Sequence, residues 1–172
     1  VDMARNVRIP GDWGLEIGLL GEVYRNCAPR RICEVDVCET YDHKHQPLSA
    51  DDASTGLLRM AVDIAKTLFR TLAAEGILFS EAFVRTLTVA YVKHAQDSIK
   101  KYNDDASING LTFDRHAEGT AVEAFARAIS IAGKAVLDDP MGAPQIPNWS
   151  RVTSAVPELL DMLKAAVAED SK

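Results

Sequence analysis

Two histidines two residues apart are the side chains in this sequence best suited to metal or phosphate chemistry. His43 and His45 stand in the segment Tyr41-Asp42-His43-Lys44-His45-Gln46-Pro47-Leu48. In extended backbone, residues two apart point to the same side, so both imidazoles could face one cavity. Divalent-metal sites for phosphate substrates usually combine carboxylates, imidazoles and substrate oxygens, and a single segment seldom supplies them all. The spacing is equally typical of a polar loop with two solvated histidines, and the residues alone leave both interpretations open.

A glutamate flanked by glycines is the second candidate. Glu16 lies in Trp13-Gly14-Leu15-Glu16-Ile17-Gly18-Leu19-Leu20, where the glycines permit a close backbone approach and the carboxylate falls in a predicted first helical turn. The alternative is a charge that only complements the helix dipole. Arg30-Arg31 could bind a phosphate or carboxylate, although paired surface arginines are common. His94 and His116 are isolated on predicted helices, and we interpret them as surface or hydrogen-bonded residues.

Size and composition indicate a folded, soluble protein. The 172 residues are 47% hydrophobic, enough for one ordinary core, and 25 acidic against 19 basic residues give a net charge of −6. This charge argues against nucleic acid or an anionic membrane as the main partner. No apolar run approaches the roughly 20 residues that cross a bilayer, and no signal-peptide pattern opens the chain, so we expect a cytoplasmic protein. Cys27, Cys33 and Cys38 lack metal-ligand spacing, and we interpret them as reduced structural residues.

The candidates must be positioned by two differently patterned regions, residues 1–48 and 49–172. In the first, Asp12 is predicted to cap a helix that begins at Trp13 and ends at Arg30-Arg31. Near-alternating apolar and acidic residues from Ile32 to Glu39 predict a strand with one buried face, directly before the histidines. The second region has helical periodicity throughout. Its predicted helices run from Ser49 to Gly76, from Ser80 to the Asn- and Asp-rich stretch before Gly110, from Asp114 to Leu137, and from Asn148 to Val167.

Two blocks, in this order, resemble retaining glycosyltransferases of the GT-A fold, typified by glucosyl-3-phosphoglycerate synthase and including glucosylglycerate and mannosylglycerate-type synthases. Gly11 to Leu20 resembles the family's Gly-aromatic-Gly-x-Glu-Ile-Gly segment. Asp42 to Leu48 resembles the later block that follows a core strand. The likeness covers most of the chain and is strongest in residues 1–48.

The resemblance implies an α/β GT-A glycosyltransferase of which this chain, itself mostly α-helical with one or two short strands, is the C-terminal part. The half with the Asp-x-Asp motif and the nucleotide site is then expected before Val1. The implied reaction moves a hexose from a nucleotide-diphosphate sugar to glycerate, 3-phosphoglycerate or a related acceptor. Some members have an arginine where this chain has Tyr41, and that arginine is a candidate contact for the acceptor phosphate. The resemblance therefore does not decide whether the acceptor carries a phosphate.

The resemblance also implies roles for single residues. His43 is the implied ligand of a divalent cation, Mg²⁺ or Mn²⁺, and Glu16 is the implied catalytic residue that orients the hexose. The remaining implied contacts to sugar, diphosphate or acceptor are Trp13, Gly14, Leu15, Tyr41, Lys44 and His45. Residues 1–48 are thus the end of a catalytic domain, and residues 49–172 a C-terminal helical region.

Two other functions stay open at the level of the sequence. The long amphipathic helices after Ser49 could form an oligomerisation or partner-binding module, and a homodimer is expected in either case. A small metal-dependent hydrolase could use His43, His45 and acidic partners. No further histidine and aspartate pair stands at helical ligand spacing, which argues against the hydrolase.

Overall fold

Three long helices dominate the computed structural model, which describes residues 2–7, 9–38, 46–142 and 145–171. In chain order the elements within these ranges are α1 (Asp2–Asn6), β1 (Ile9–Pro10), α2 (Leu15–Asn26), a 3₁₀ helix (Pro29–Arg31), α3 (Gly56–Ala74), α4 (Glu81–Ile108), α5 (Arg115–Asp138), β2 (Gln145–Ile146), α6 (Trp149–Ala155) and α7 (Leu159–Asp170). The prediction of a mostly helical chain with short strands is confirmed. None of the described helices is both long and apolar enough to cross a membrane.

The core lies between α3 and α5. Each helix contributes apolar residues at three- and four-residue steps, so that one face of each is buried against the other. Phe69 is the largest fully buried side chain, with 1% of its surface exposed. Because α5 presents mainly alanines, the two backbones can approach closely around the larger side chains of α3. The buried residues are Leu58, Val62, Ala65 and Phe69 on α3 and Ala124, Ala128, Ala132 and Val136 on α5.

Helix α4 packs against an adjacent side of α5 through a second close approach. A Cβ atom at Gly133 would lie 2.6 Å from Cγ1 of Val84, so only glycine fits there. The start of α4 is fixed by Ser80, whose hydroxyl accepts a hydrogen bond from the Phe83 N–H at 3.2 Å. The connection from α3 is held by Phe79, whose ring lies 4.9 Å from that of Phe69.

The ends of the long helices follow local chemistry that the sequence predicts. Gly76 has φ of +85°, and the N–H of Ile77 donates to the Leu72 carbonyl at 3.1 Å, which closes α3 in the left-handed manner that favours glycine. Gly110, with φ of +67°, ends α4 in the same way. The predicted ends of both helices are thereby confirmed.

Besides the packing of α2 against α3, the first 26 residues are attached at two places to the segment that follows α5. Strand β1 pairs antiparallel with β2, in a register that sets Ile9 opposite Ile146. Asn148 caps α6 and also donates from its side-chain amide to the Asn6 carbonyl at 3.3 Å. Residues on both sides of the predicted boundary at Leu48 therefore pack together, and the boundary itself stays a prediction.

Three predicted elements differ in the structure. Residues 32–38 form no strand and are exposed, Val37 by 89%, because none of the described strands lies beside them to accept their hydrogen bonds. Cys33 and Cys38 are therefore exposed free thiols rather than structural core residues. The helix predicted from Ser49 begins only at Gly56, after a turn in which Asp52 accepts hydrogen bonds from Ser54.

The last predicted helix is divided in two. Pro157 lies between α6 and α7, where its ring and missing N–H interrupt the helical hydrogen bonds. Apolar residues recur at helical spacing on both sides of Pro157, which is why the sequence pattern predicts one helix there instead of two.

We expect Phe69→Ala to lower the free energy of unfolding by about 3–5 kcal/mol, because it removes the largest buried side chain and leaves a cavity between α3 and α5. Leu78→Ala is the control, since Leu78 is 85% exposed and should change stability little. Urea denaturation followed by circular dichroism measures both. Equal losses for the two variants would contradict the assignment of the core.

The start of α5 predicts a pH dependence of stability. Hydrogen bonds from the backbone N–H groups of Ala117 and His116, each 3.0 Å from Asp114 Oδ1, lower the pKa of the Asp114 carboxyl below its usual 3.8. Because the folded pKa is the lower one, the contribution is present above pH 3.8 and is lost as the pH falls through the folded value. Asp114→Asn keeps the cap but cannot titrate, so its stability should fall less steeply than the wild type's in acid denaturation. Parallel curves for the two proteins would contradict this assignment.

Candidate functional site

The turn that precedes α2 is ordered by Asp12. Its Oδ1 accepts the N–H of Gly14 at 2.9 Å, and its carbonyl accepts the N–H of Leu15 at 3.3 Å. The helix therefore begins at Leu15 rather than at Trp13, with Gly14 at the N-cap position. The sequence placed Asp12 correctly at the start of the helix, but Asp12 orders the turn before the helix instead of capping its first residue.

The side chains of Glu16 and Trp13 project from this turn toward solvent. Glu16 lies in the first turn of α2, where the helix dipole favours a negative charge. It is exposed, and its carboxylate forms no hydrogen bond or ion pair with another described residue. Trp13 is 42% exposed. Both groups are thus available to a ligand, whereas Leu15 is half-buried.

The glycines beside Glu16 lie close to other side chains of the protein. Gly14 is buried, and a Cβ atom there would lie 2.0 Å from Thr67 Oγ1. A Cβ atom at Gly18 would lie 2.7 Å from Pro10 Cγ. The inner side of the segment is therefore fitted against α3 and β1. A direct contact of Gly14 with substrate stays a prediction.

Tyr41, His43, Lys44 and His45 lie outside the described residues, so their predicted roles stay predictions. The described chain resumes at Gln46. The carbonyls of Pro47 and Leu48 accept hydrogen bonds from the N–H groups of Leu57 and Leu58, at 2.9 and 3.2 Å. These two donors belong to the first turn of α3, which has no helical partners for its N–H groups. The end of the histidine block is thereby fixed to the N-terminus of α3.

Gly56 makes this attachment sterically feasible. Its φ is +59°, and a Cβ atom there would lie 2.3 Å from the Pro47 carbonyl oxygen. Leu48 in turn packs against the core cluster. Helix α3 consequently contacts the described end of the histidine block at its N-terminus and the Gly14 segment at Thr67. Thr67 lies ten residues after Leu57, which is about 15 Å along the helix.

A cleft of about 680 Å³ lies between α2, α3 and the residues that follow α5. Arg25, on one wall, forms an ion pair with Glu22 at 2.5 Å, and this hydrogen bond raises the pKa of the Arg25 guanidinium. Arg70, on another wall, donates to the carbonyls of Asp139 and Pro140 at 3.4 and 3.3 Å. The sequence offered no signal for this cleft, because its lining comes from three segments far apart in the chain.

The remaining sequence candidates are placed at the surface. Arg30 and Arg31 are exposed on the 3₁₀ helix, and His94 and His116 are exposed on α4 and α5. The interpretation of both histidines as surface residues is confirmed. Within the described ranges, no group of three or more His, Cys, Asp or Glu side chains is arranged to hold a metal ion.

The amino-acid sequence of this chain is similar to those of two known proteins. No protein-family model and no solved structure matches it. A glucosyl-3-phosphoglycerate synthase of Persephonella marina is 52% identical over 98% of the chain. Another of the same name, from Methanococcoides burtonii, is 43% identical over 99%. The chain spans 42% of the length of each. The resemblance predicted from the Trp13 and His43 blocks is confirmed, because nearly the whole of this chain is similar to two glucosyl-3-phosphoglycerate synthases.

Proposed function

We propose that this chain is the C-terminal part of a glycosyltransferase that moves a hexose from a nucleotide-diphosphate sugar to 3-phosphoglycerate. The observation that carries the proposal is the 52% identity to a glucosyl-3-phosphoglycerate synthase across almost all of the chain. The name of that relative favours 3-phosphoglycerate over the glycerate and glycosylglycerate acceptors that Tyr41 leaves open.

The finer features of the proposal are a GT-A fold and transfer with retention at the anomeric carbon. The nucleotide-binding half is expected in the part of the relatives that this chain does not span. The exposed, alternating residues 32–38 support such an arrangement, because a strand of that half would satisfy their backbone hydrogen bonds. Residues 1–48 would then complete the catalytic domain.

Glu16 is the residue proposed to orient the transferred hexose. An exposed carboxylate with no partner among the described residues can accept hydrogen bonds from two sugar hydroxyls, and its place in the first turn of α2 limits the orientations of the sugar. Trp13, Gly14 and Leu15 would shape the same pocket. Tyr41, Lys44 and His45 would hold the diphosphate or the acceptor carboxylate by hydrogen bonds.

His43 is the proposed metal ligand. Within the described ranges no group of three or more His, Cys, Asp or Glu side chains is arranged to hold a metal ion, and we propose that His43 completes a site whose carboxylates belong to the Asp-x-Asp motif expected in the other half of the protein. A neutral imidazole fits Mn²⁺ or, beside carboxylates, Mg²⁺. Such a cation would neutralise the charge that develops on the leaving diphosphate.

In the full-length protein, we expect His43→Ala to lower metal-dependent transfer by at least about 100-fold and to weaken Mn²⁺ binding, because a ligand is lost. Binding to the wild type should also weaken as the pH falls below about 6.5, where imidazole becomes protonated. Electron paramagnetic resonance titration with Mn²⁺ measures binding independently of activity. His116→Ala is the control for an exposed histidine. Unchanged Mn²⁺ affinity in His43→Ala would remove His43 from the metal site.

Glu16→Gln should lower the turnover number by about 100-fold, because a neutral amide holds the sugar hydroxyls less firmly and in a different pattern. Glu118→Gln is the matched control, since Glu118 is an exposed acid in the first turn of α5 and also complements a helix dipole. Initial rates and thermal unfolding are measured for both. Similar losses of stability with normal turnover in both variants would assign Glu16 to the helix dipole alone.

We further propose that the protein is a cytoplasmic homodimer. The observation that favours a helical contact surface is the apolar side of α7, where large side chains recur at three- and four-residue steps and remain exposed. These are Leu160, Leu163 and Val167. The dimer would accompany the enzymatic function rather than replace it.

A further inference from the structure

The side chain of Thr67, on α3, occupies the space that a side chain at Gly14 would need. A Cβ atom built on Gly14 would lie 2.0 Å from Thr67 Oγ1 and 2.7 Å from Thr67 Cβ. The same threonine reaches the next turn of α2, because its Cγ2 would lie 3.5 Å from a Cβ atom at Gly18. One side chain thus supports two successive turns of the segment.

The support is rigid for two reasons. A β-branched side chain in a helix has few allowed rotamers, and the position of Thr67 Cβ is set by the α3 backbone whatever its rotamer. Helix α3 is itself held in the core by Phe69, two residues further along. Rotation of the hydroxyl could therefore relieve the 2.0 Å contact, but the 2.7 Å contact remains.

The position of Gly14 determines where its neighbours Trp13 and Glu16 lie. Any side chain at position 14 would have to move the turn away from α3, from the 2.7 Å separation to an ordinary 3.4 Å, which is about 0.7 Å. Catalytic groups are sensitive to displacements of this size, since a misplacement of about 1 Å can lower a rate by about 100-fold.

We propose that Thr67 is a positioning residue, which sets the distance of Trp13 and Glu16 from α3 by direct contact with the backbone of Gly14. The part of this inference that concerns catalysis rests on the proposed glycosyltransferase function. The part that concerns the position of the turn depends only on the packing of Gly14.

The test is a set of substitutions in the full-length protein. Gly14→Ala should lower the turnover number at least about 10-fold. The double variant Gly14→Ala with Thr67→Gly should recover to within about 3-fold of Thr67→Gly alone, because the obstructing Cβ is gone. The matched control combines Gly14→Ala with Thr71→Gly. Glycine at position 71 lowers the stability of α3 by the same amount as glycine at position 67, because both replace a threonine inside the helix. Thr71 lies one turn later and faces Gly21 instead of Gly14. That control should stay as slow as Gly14→Ala.

A second measurement separates this inference from the proposed function. With 5-fluorotryptophan incorporated, the Trp13 resonance is assigned by Trp13→Phe and reports the position of the turn without any activity. It should shift in Gly14→Ala. In the double variant Gly14→Ala with Thr67→Gly it should take the position that it has in Thr67→Gly alone, whereas in Gly14→Ala with Thr71→Gly it should stay where Gly14→Ala has it. If Gly14→Ala does not fold, Thr67→Gly and Thr71→Gly are compared by themselves. Thr67→Gly should move the Trp13 resonance and Thr71→Gly should not.

The outcomes are distinct. A Trp13 resonance that responds as described in a protein without transferase activity would contradict the proposed function and keep Thr67 as the support of the turn. Equal rescue by Thr67→Gly and Thr71→Gly, or no response of the resonance to either, would overturn the inference even in an active enzyme. A uniform loss of stability without the difference between positions 67 and 71 would also overturn it.

Discussion

The contact between α3 and α5 is the interaction on which the rest of the described structure depends. It buries Phe69 and three other α3 side chains against a row of alanines and Val136. The alanines bring two backbones close together, and the larger residues of α3 fill the remaining space, so that neither helix can rotate without opening a void. The segments that pack on the other sides of α3 are held in place because this interface fixes the position of α3.

Helix α3 uses its other surfaces to hold the turn at Gly14 and the two residues Pro47 and Leu48. Its first turn donates backbone hydrogen bonds to Pro47 and Leu48, and its middle carries Thr67, against which Gly14 is packed. Sites built on helices with a packed core are held more precisely than sites on loops. Two stretches about 30 residues apart in the chain, the Gly14 turn and Pro47 with Leu48, thereby attach to the same helix.

Helix α3 also accommodates a charge next to this core. Asp63 is the only charged side chain that is buried among the described residues, and Lys66 Nζ lies 2.7 Å from its Oδ1. Arg59 Nε lies 3.8 Å from Oδ2, so cations from the preceding and following turns flank the carboxylate. Such pairing offsets the free-energy cost of removing the Asp63 carboxylate from water.

The sequence by itself determined the long helices, because their apolar period, their caps at Ser80 and Asp114 and their terminal glycines are local properties of the chain. It also identified the Trp13 and His43 blocks, whose resemblance the relatives confirm. It could not determine that residues 32–38 would lie exposed, since a strand exists only where a neighbour accepts its hydrogen bonds. Only the tertiary structure decided that Gly14 meets Thr67 and that Arg70 reaches the end of α5, because these contacts join residues distant in sequence through the packing of α3.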